Sequence, residues 1–182
     1  MKLYLVRHGE TEWNALGKKQ GRTDIPLNEV GERQAEELAE RLKDVQFDAC
    51  VASPLRRAYR TAEIVTRGKC KINVDERLIE RGFGEFEGTL NKDWAEMTGG
   101  ADVWDRKLNY GERGMETVQE ILARARSFLD DVKKNYAEDA KLLIVAHGSL
   151  LKALHFVIVG YDDRTDFHAF HFGNAEMKEY EV

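Results

Sequence analysis

Two apolar runs set the frame of this chain. Leu3–Val6 (LYLV) and Lys141–Ala146 (KLLIVA) have strand length and almost no polar positions, as buried β-strands do. Each run ends in a histidine followed by glycine: Arg7-His8-Gly9 after the first and His147-Gly148 after the second. Shorter β-prone runs at Asp48–Ala52 (DACVA) and Lys71–Val74 predict two further strands. Near-helical spacing of Val30, Leu38, Ala39 and Leu42 predicts a helix from about Asn28. Ser53-Pro54 reads as the start of a helix that carries Arg56, Arg57, Ala58, Ala62, Ile64 and Val65, with a capped N-terminus of the kind that favours anions. The clearest amphipathic pattern runs from Glu116 to Asn135, with Val118, Ile121, Leu122, Ala125, Phe128, Leu129 and Val132 on one stripe. An apolar helix is expected over Ser149–Val159. Two last strands, Phe167–Phe172 and Glu176–Val182, are expected to meet at a Gly173-Asn174 turn.

Strands alternating with helices predict an α/β fold: a three-layer α/β/α arrangement with a mostly parallel central sheet. In open sheets of this kind, ligands bind beyond the carboxyl ends of the strands. One histidine at a strand end is more often structural than functional. Two, each placed before a glycine that lets backbone approach a ligand, point to a site. His155, His168 and His171 sit within helical or alternating patterns and are read as structural.

The remaining stretches are less regular. Trp13–Pro26 is rich in Gly, Asn, Lys and Asp and reads as a loop crossing the mouth of the site. Residues 81–114 hold seven glycines, the aromatics Phe83, Phe86, Trp94, Trp104 and Tyr110, and one short helical pattern near Asn91–Met97. They read as a small cap within a single domain spanning residues 1–182.

Composition narrows the function classes. A formal charge of −5 argues against a nucleic-acid or membrane-surface partner, although an acidic protein still binds phosphate where arginines converge. No run is long enough to span a bilayer, and Met1-Lys2 passes at once into a strand, unlike a secretory leader. Cys50 and Cys70 have no zinc or redox spacing and read as reduced thiols, so the expected location is cytoplasmic. The histidines form no metal motif, and neither a metal nor another cofactor is expected.

The motifs, taken in order, resemble the histidine phosphatase superfamily, which also holds the cofactor-dependent phosphoglycerate mutases. They are Arg7-His8-Gly9-Glu10-Thr11 with Trp13-Asn14, then Gly21, Asp24, Pro26-Leu27, Gly31 and Gln34-Ala35. Ser53-Pro54-Leu55, Arg57-Ala58 and Thr61-Ala62 follow, and then Leu78, Glu80, Phe83-Gly84 and Glu87-Gly88. Gly114, Glu116-Thr117, Arg124 and Val145-Ala146-His147-Gly148 complete the series. The length resembles the smaller phosphatases, such as the α-ribazole and broad-specificity groups.

The resemblance implies that His8 attacks phosphorus and becomes a phosphohistidine, splitting the reaction into two steps. It implies that Arg7, Arg57 and His147 surround the phosphoryl oxygens, that Asn14 adds a hydrogen bond, and that Gly148 belongs to the same wall. Planar, permanently charged guanidinium forks suit that task. It makes Glu80 the acid that protonates the leaving alcohol and then the base that activates water. By residue type alone Arg56 or Arg60 would serve as well as Arg57, and Glu76, Glu85 or Glu87 as well as Glu80; only the family register selects. Gln20, Gly21, Arg81 and the cap would line the outer pocket. The implied activity is hydrolysis of small phosphate monoesters, with no partner beyond that small molecule and no specified oligomeric state. A phosphoglycerate mutase is the alternative, because Glu80-Arg81 and Leu90-Asn91-Lys92 resemble the mutase stretch. A non-catalytic phosphate-binding protein stands further behind.

Overall fold

The computed structural model describes residues Met1–Val182. The chain runs β1 (Lys2–Arg7), α1 (Glu12–Ala15), α2 (Glu29–Arg41), β2 (Ala49–Ala52), α3 (Arg56–Thr66) and β3 (Ile72–Val74). It continues through α4 (Trp94–Thr98), α5 (Val118–Asn135), β4 (Lys141–Ala146), α6 (Gly148–Val159) and β5 (Met177–Glu181). The five strands form one sheet in the order β3-β2-β4-β1-β5, parallel except for β5, which runs antiparallel along β1. The fold is therefore a three-layer α/β/α sandwich.

Side chains alternate across the pleat even in the all-apolar strand β4. Leu142, Ile144 and Ala146 face the layer of α5 and α6, together with Leu3 and Leu5 of β1. Leu143 and Val145 face the layer of α2 and α3, together with Tyr4 and Val6. Removing water from both faces stabilises each large aliphatic side chain here by about 1.5–3 kcal/mol. Thr117 opens α5 with a reciprocal capping box, its hydroxyl accepting from the Glu120 amide while Glu120 accepts from the Thr117 amide. No helix is long and apolar enough to cross a membrane.

Several expectations need correction. Val30 is exposed, and the buried face of α2 is Gly31, Ala35, Leu38 and Ala39. The loop after Trp13 contains the one-turn helix α1, capped by Thr11. Phe167–Phe172 is not a strand. Asp166 accepts from the His168 amide and starts a single 3-10 turn, Phe167–Ala169. Phe167 and Phe172 then dock in the core under α6, and Phe170 stacks on His155 with ring centroids 3.5 Å apart. The alternation there is real burial alternation, but side-chain docking takes the place of a hydrogen-bonded ladder.

Residues 81–114 form three 3-10 turns and α4. They have a small core of their own, with Phe83, Phe86 and Met115 packed against Trp94, Met97, Leu108 and Tyr110. Its base is closed by an antiparallel bridge between Phe83 and Met115. Gly84 (φ 54°) has no room for a side chain there, since a Cβ would lie 2.0 Å from the Arg113 carbonyl oxygen.

Candidate active site

β1 and β4 are neighbours in parallel register, with Arg7 beside Ala146, so both strands release their next residue at the same edge. That pairing brings His8 and His147 together with ring centroids 5.1 Å apart. Both are buried. The Nδ1–H of His8 donates to the Gly9 carbonyl at 2.6 Å, which leaves Nε2 with its lone pair free. Burial holds His8 well below the usual imidazole range, and the nearby charges of Arg7 and Arg57 push it the same way. The ring is thus a neutral base with its outer nitrogen available.

Arg57 is fully buried on the inner face of α3. It donates through Nη1 to the Thr23 carbonyl (2.8 Å), through Nη2 to the Gly21 carbonyl (2.7 Å), and through Nε to His147 Nδ1 (3.2 Å). Since guanidinium only donates, His147 must accept at Nδ1 and carry its proton on Nε2, which donates to Ser53 Oγ at 2.7 Å. Burial, followed by the Arg57 charge, keeps His147 well below the imidazole range too. Burial lowers Arg57 to about 10, opposed by Glu80, so it remains charged at neutral pH. Arg7 donates through Nη1 to the Phe172 carbonyl at 2.7 Å, and its Nε is buried with no partner. Burial lowers its pKa as well, again opposed by Glu80.

Glu80 follows a 3-10 turn, Glu76–Leu78, and lies near enough to Arg7 and Arg57 to act on both charges. Its Oε1 accepts from the amides of Arg81 (2.8 Å) and Leu150 (3.1 Å), and Oε2 accepts from Ser149 (3.2 Å). A carboxylate at the first turn of α6 also benefits from the helix dipole. The arrangement is two guanidinium groups and two neutral imidazoles facing one fixed carboxylate. Chemically it can hold a phosphoryl group, attack it with an unprotonated nitrogen, and pass a proton through the carboxylate. No group of three or more His, Cys, Asp or Glu side chains is placed to hold a metal ion.

The histidine phosphatase superfamily (branch 1) family model matches residues 3–182 of this sequence. The chain belongs to that superfamily. This histidine phosphatase is 41% identical over 162 residues to an uncharacterized phosphatase, PhoE, of Bacillus subtilis, covering 87% of this chain and 77% of that one. It is 35% identical over 166 residues to a probable phosphoglycerate mutase, GpmB, of Photorhabdus laumondii, covering 88% of this chain and 75% of that one. In three dimensions it is similar to a mycobacterial glucosyl-3-phosphoglycerate phosphatase in complex with VO3. The TM-score is 0.88 at 30% identity, covering 98% of this chain and 91% of the other.

The other expected site residues have more specific places. Asn14 Oδ1 accepts from the Thr11 amide and from Asn174 Nδ2, so the Nδ2 end of Asn14 is the one without a protein partner. Gln20 is buried and accepts from the Thr11 hydroxyl, one layer behind the site. Gly21 contributes its carbonyl to Arg57 and leaves room for Glu87, whose carboxylate accepts from the amides of Arg22, Thr23 and Phe83. Gly148 lies against the Arg7 guanidinium, where a Cβ would stand 3.5 Å from Nε. The glycine after His8 has a packing role. A Cβ on Gly9 would lie 2.4 Å from the Gly31 carbonyl oxygen, so this glycine lets α2 pack against the loop that follows His8. Arg81 is fully buried, donating to the carbonyls of Glu116 (2.8 Å) and Val103 (2.7 Å) beneath the Trp104 ring, and these contacts tie the cap down.

Four contributors have roles that differ from the sequence expectation; Ser53, expected to cap α3, does not, since the cap residue is Leu55 and makes no side-chain bond. Thr61 accepts from the Gly9 amide, Ser53 holds His147, and the Phe172 carbonyl holds Arg7. The fourth, Asn174, signalled a turn by its pairing with Gly173, and nothing in its local pattern suggested contact with His8.

Proposed function

We propose that this histidine phosphatase hydrolyses small organic phosphate monoesters through a phosphohistidine formed on His8 Nε2. The observation that carries the reading is the hydrogen bond from His8 Nδ1 to the Gly9 carbonyl, which leaves Nε2 unprotonated beside Arg7 and Arg57. The lone pair of Nε2 forms a bond to phosphorus while the bond from phosphorus to the ester oxygen breaks. Glu80 in its protonated form supplies the proton to the departing alcohol oxygen. A water molecule then attacks the phosphohistidine, giving its proton back to Glu80 as the P–N bond breaks. Arg7, Arg57 and Asn14 neutralise and orient the equatorial oxygens, which is most of what phosphoryl transfer requires. His147 serves chiefly by orienting Arg57, because both of its ring nitrogens are engaged. Gln20, Gly21, Arg81 and Gly148 shape the surroundings of the phosphate and the leaving group.

A phosphate ester carrying a carboxylate or sugar in its leaving group fits the names of the similar proteins. The free thiols Cys50 and Cys70 suit the reducing cytoplasm. The test is rapid quenching with a slow substrate. The expected product is a phosphoenzyme that is acid-labile and alkali-stable, absent in His8→Ala. Label on serine, or label persisting in His8→Ala, overturns the mechanism.

A further inference from the structure

We infer that Asn174 is a positioning residue that sets which end of the Asn14 amide faces the phosphate. The inference rests on the reading of Asn14 as a phosphate ligand. Asn174 lies in the segment between Phe172 and β5, and its Nδ2 donates to two acceptors, the His8 carbonyl at 3.3 Å and Asn14 Oδ1 at 3.1 Å. The next residue, Ala175, sits at φ 51°, one of two non-glycine residues with positive φ in the chain. Its amide donates to the same His8 carbonyl at 3.1 Å. A left-handed alanine is strained backbone, held only where surrounding contacts determine it. Here the Glu176 amide closes the turn on the Gly173 carbonyl (3.1 Å), and the two contacts on the His8 carbonyl hold that turn against the site.

The consequence for Asn14 follows from donor and acceptor counting. An asparagine amide presents an oxygen at one end and two N–H groups at the other, and the two ends are nearly the same shape. Phosphate oxygens require the N–H end. Two groups that can only donate converge on Asn14 Oδ1: the Thr11 amide (3.1 Å) and Asn174 Nδ2 (3.1 Å). The Thr11 hydroxyl, 3.1 Å away, does not fix the amide, because its single proton goes to Gln20 Oε1 at 2.9 Å. The Thr11 amide favours this orientation from within the same turn, and Asn174 adds the one side-chain donor that enforces it, anchored as it is on His8. The same short segment anchors Arg7 through the Phe172 carbonyl. The C-terminal segment thus serves as the backing plate of the phosphate pocket.

The test compares Asn174→Ala, Asn174→Asp, Asn14→Ala and the double variant Asn14→Ala/Asn174→Ala. The readouts are the inhibition constant of inorganic phosphate, kcat/KM for an aryl phosphate, and Tm. Asn174→Ala is expected to weaken phosphate inhibition by about 3–10-fold, the worth of one neutral hydrogen bond. Asn174→Asp keeps the shape but replaces a donor by an acceptor, which attracts the wrong end of Asn14, so its loss should exceed that of alanine. In the Asn14→Ala background the alanine change at 174 should add less than about 2-fold, because the amide it orients is gone. A role confined to stability would lower Tm and act equally in both backgrounds. Additive losses in the double variant, or unchanged phosphate inhibition in both Asn174 variants, overturn the inference alone. Unchanged inhibition in Asn14→Ala overturns the assignment of Asn14 and the inference with it, leaving the His8 labelling result untouched.

Discussion

Glu80 caps the helix that begins immediately after His147: its carboxylate accepts from the amides of Ser149 and Leu150 at 3.2 and 3.1 Å. The proposed proton donor and the end of the central strand are therefore held by the same turn of chain. In the proposed reaction the carboxylate stays fixed while the phosphoryl group is transferred to His8.

Glu80→Gln should slow turnover most for esters of poor leaving groups. An alkoxide needs a proton in the transition state, an effect worth about 10²–10⁴-fold, whereas nitrophenolate departs without one. The measurement is kcat for an alkyl and a nitrophenyl ester in parallel. Equal losses on both would show that Glu80 does not assist departure.

The two buried histidines make an opposite demand on activity and stability in acid. His8 is held well below its ordinary value of 6.5, so it should stay neutral, and reactive, at pH values where a free imidazole is charged. The acid limb of kcat/KM should accordingly not break at 6.5. Stability behaves differently. Below pH 6.5 the unfolded chain gains protons at His8 and His147 that the folded protein does not bind, so stability present in full above 6.5 falls as pH falls below it. The slope is up to about 1.4 kcal/mol per pH unit for each histidine. His147→Gln should flatten the fall of Tm between pH 6.5 and 5, and an unchanged slope would count against a depressed His147.

Arg124 on α5 determines the path of the Glu80 loop. It donates to the carbonyls of Arg77 (2.7 Å) and Ile79 (2.6 Å) and forms a two-pronged pair with Glu116 at 2.9 and 2.8 Å, both side chains largely buried. Arg124→Ala leaves two carbonyls without this donor and Glu116 with only the Gly82 amide and Arg22, and should cost about 1–3 kcal/mol in denaturant unfolding. Arg124→Leu/Glu116→Leu should recover part of that loss, since it removes a largely buried carboxylate that has lost its two-pronged partner. If the double change is as destabilising as the sum of two single changes, the pair is not coupled as its geometry requires.

Hydrolysis should outrun isomerisation. A mutase must shield its phosphohistidine from water while the intermediate reorients. The cap available here lies between Glu80 and Glu116, and it closes upon itself around Phe86, Trp94 and Tyr110. Arg81, which resembles a mutase position, is engaged with cap carbonyls. Given 3-phosphoglycerate with catalytic 2,3-bisphosphoglycerate, free phosphate should appear faster than 2-phosphoglycerate. Isomerisation much faster than phosphate release would favour the mutase.

The sequence by itself determined the strands that carry the two histidines. An apolar run of strand length has one stable environment, the middle of a sheet, and a glycine after the histidine marks the strand's end. It also determined α5, whose stripe of seven apolar positions is the buried face. Choosing among like residues was a matter of phase and distance, which only the tertiary structure decided. Successive helical residues point about 100° apart. Thus Arg57 faces inward and is fully buried, while Arg56 pairs with Asp24 and Arg60 with Glu32 on the outside. Among the carboxylates, Glu76 is exposed in its 3-10 turn, Glu85 pairs with Arg113 at the surface and Glu87 braces the Gly21–Thr23 turn, which leaves Glu80 on the first turn of α6. Asn174 and the Phe172 carbonyl reach Arg7, His8 and Asn14 across some 160 residues of chain, since they are 165, 166 and 160 positions distant. Contacts of that span leave no periodic trace, because they depend on where β5 lies against β1 and not on any local pattern.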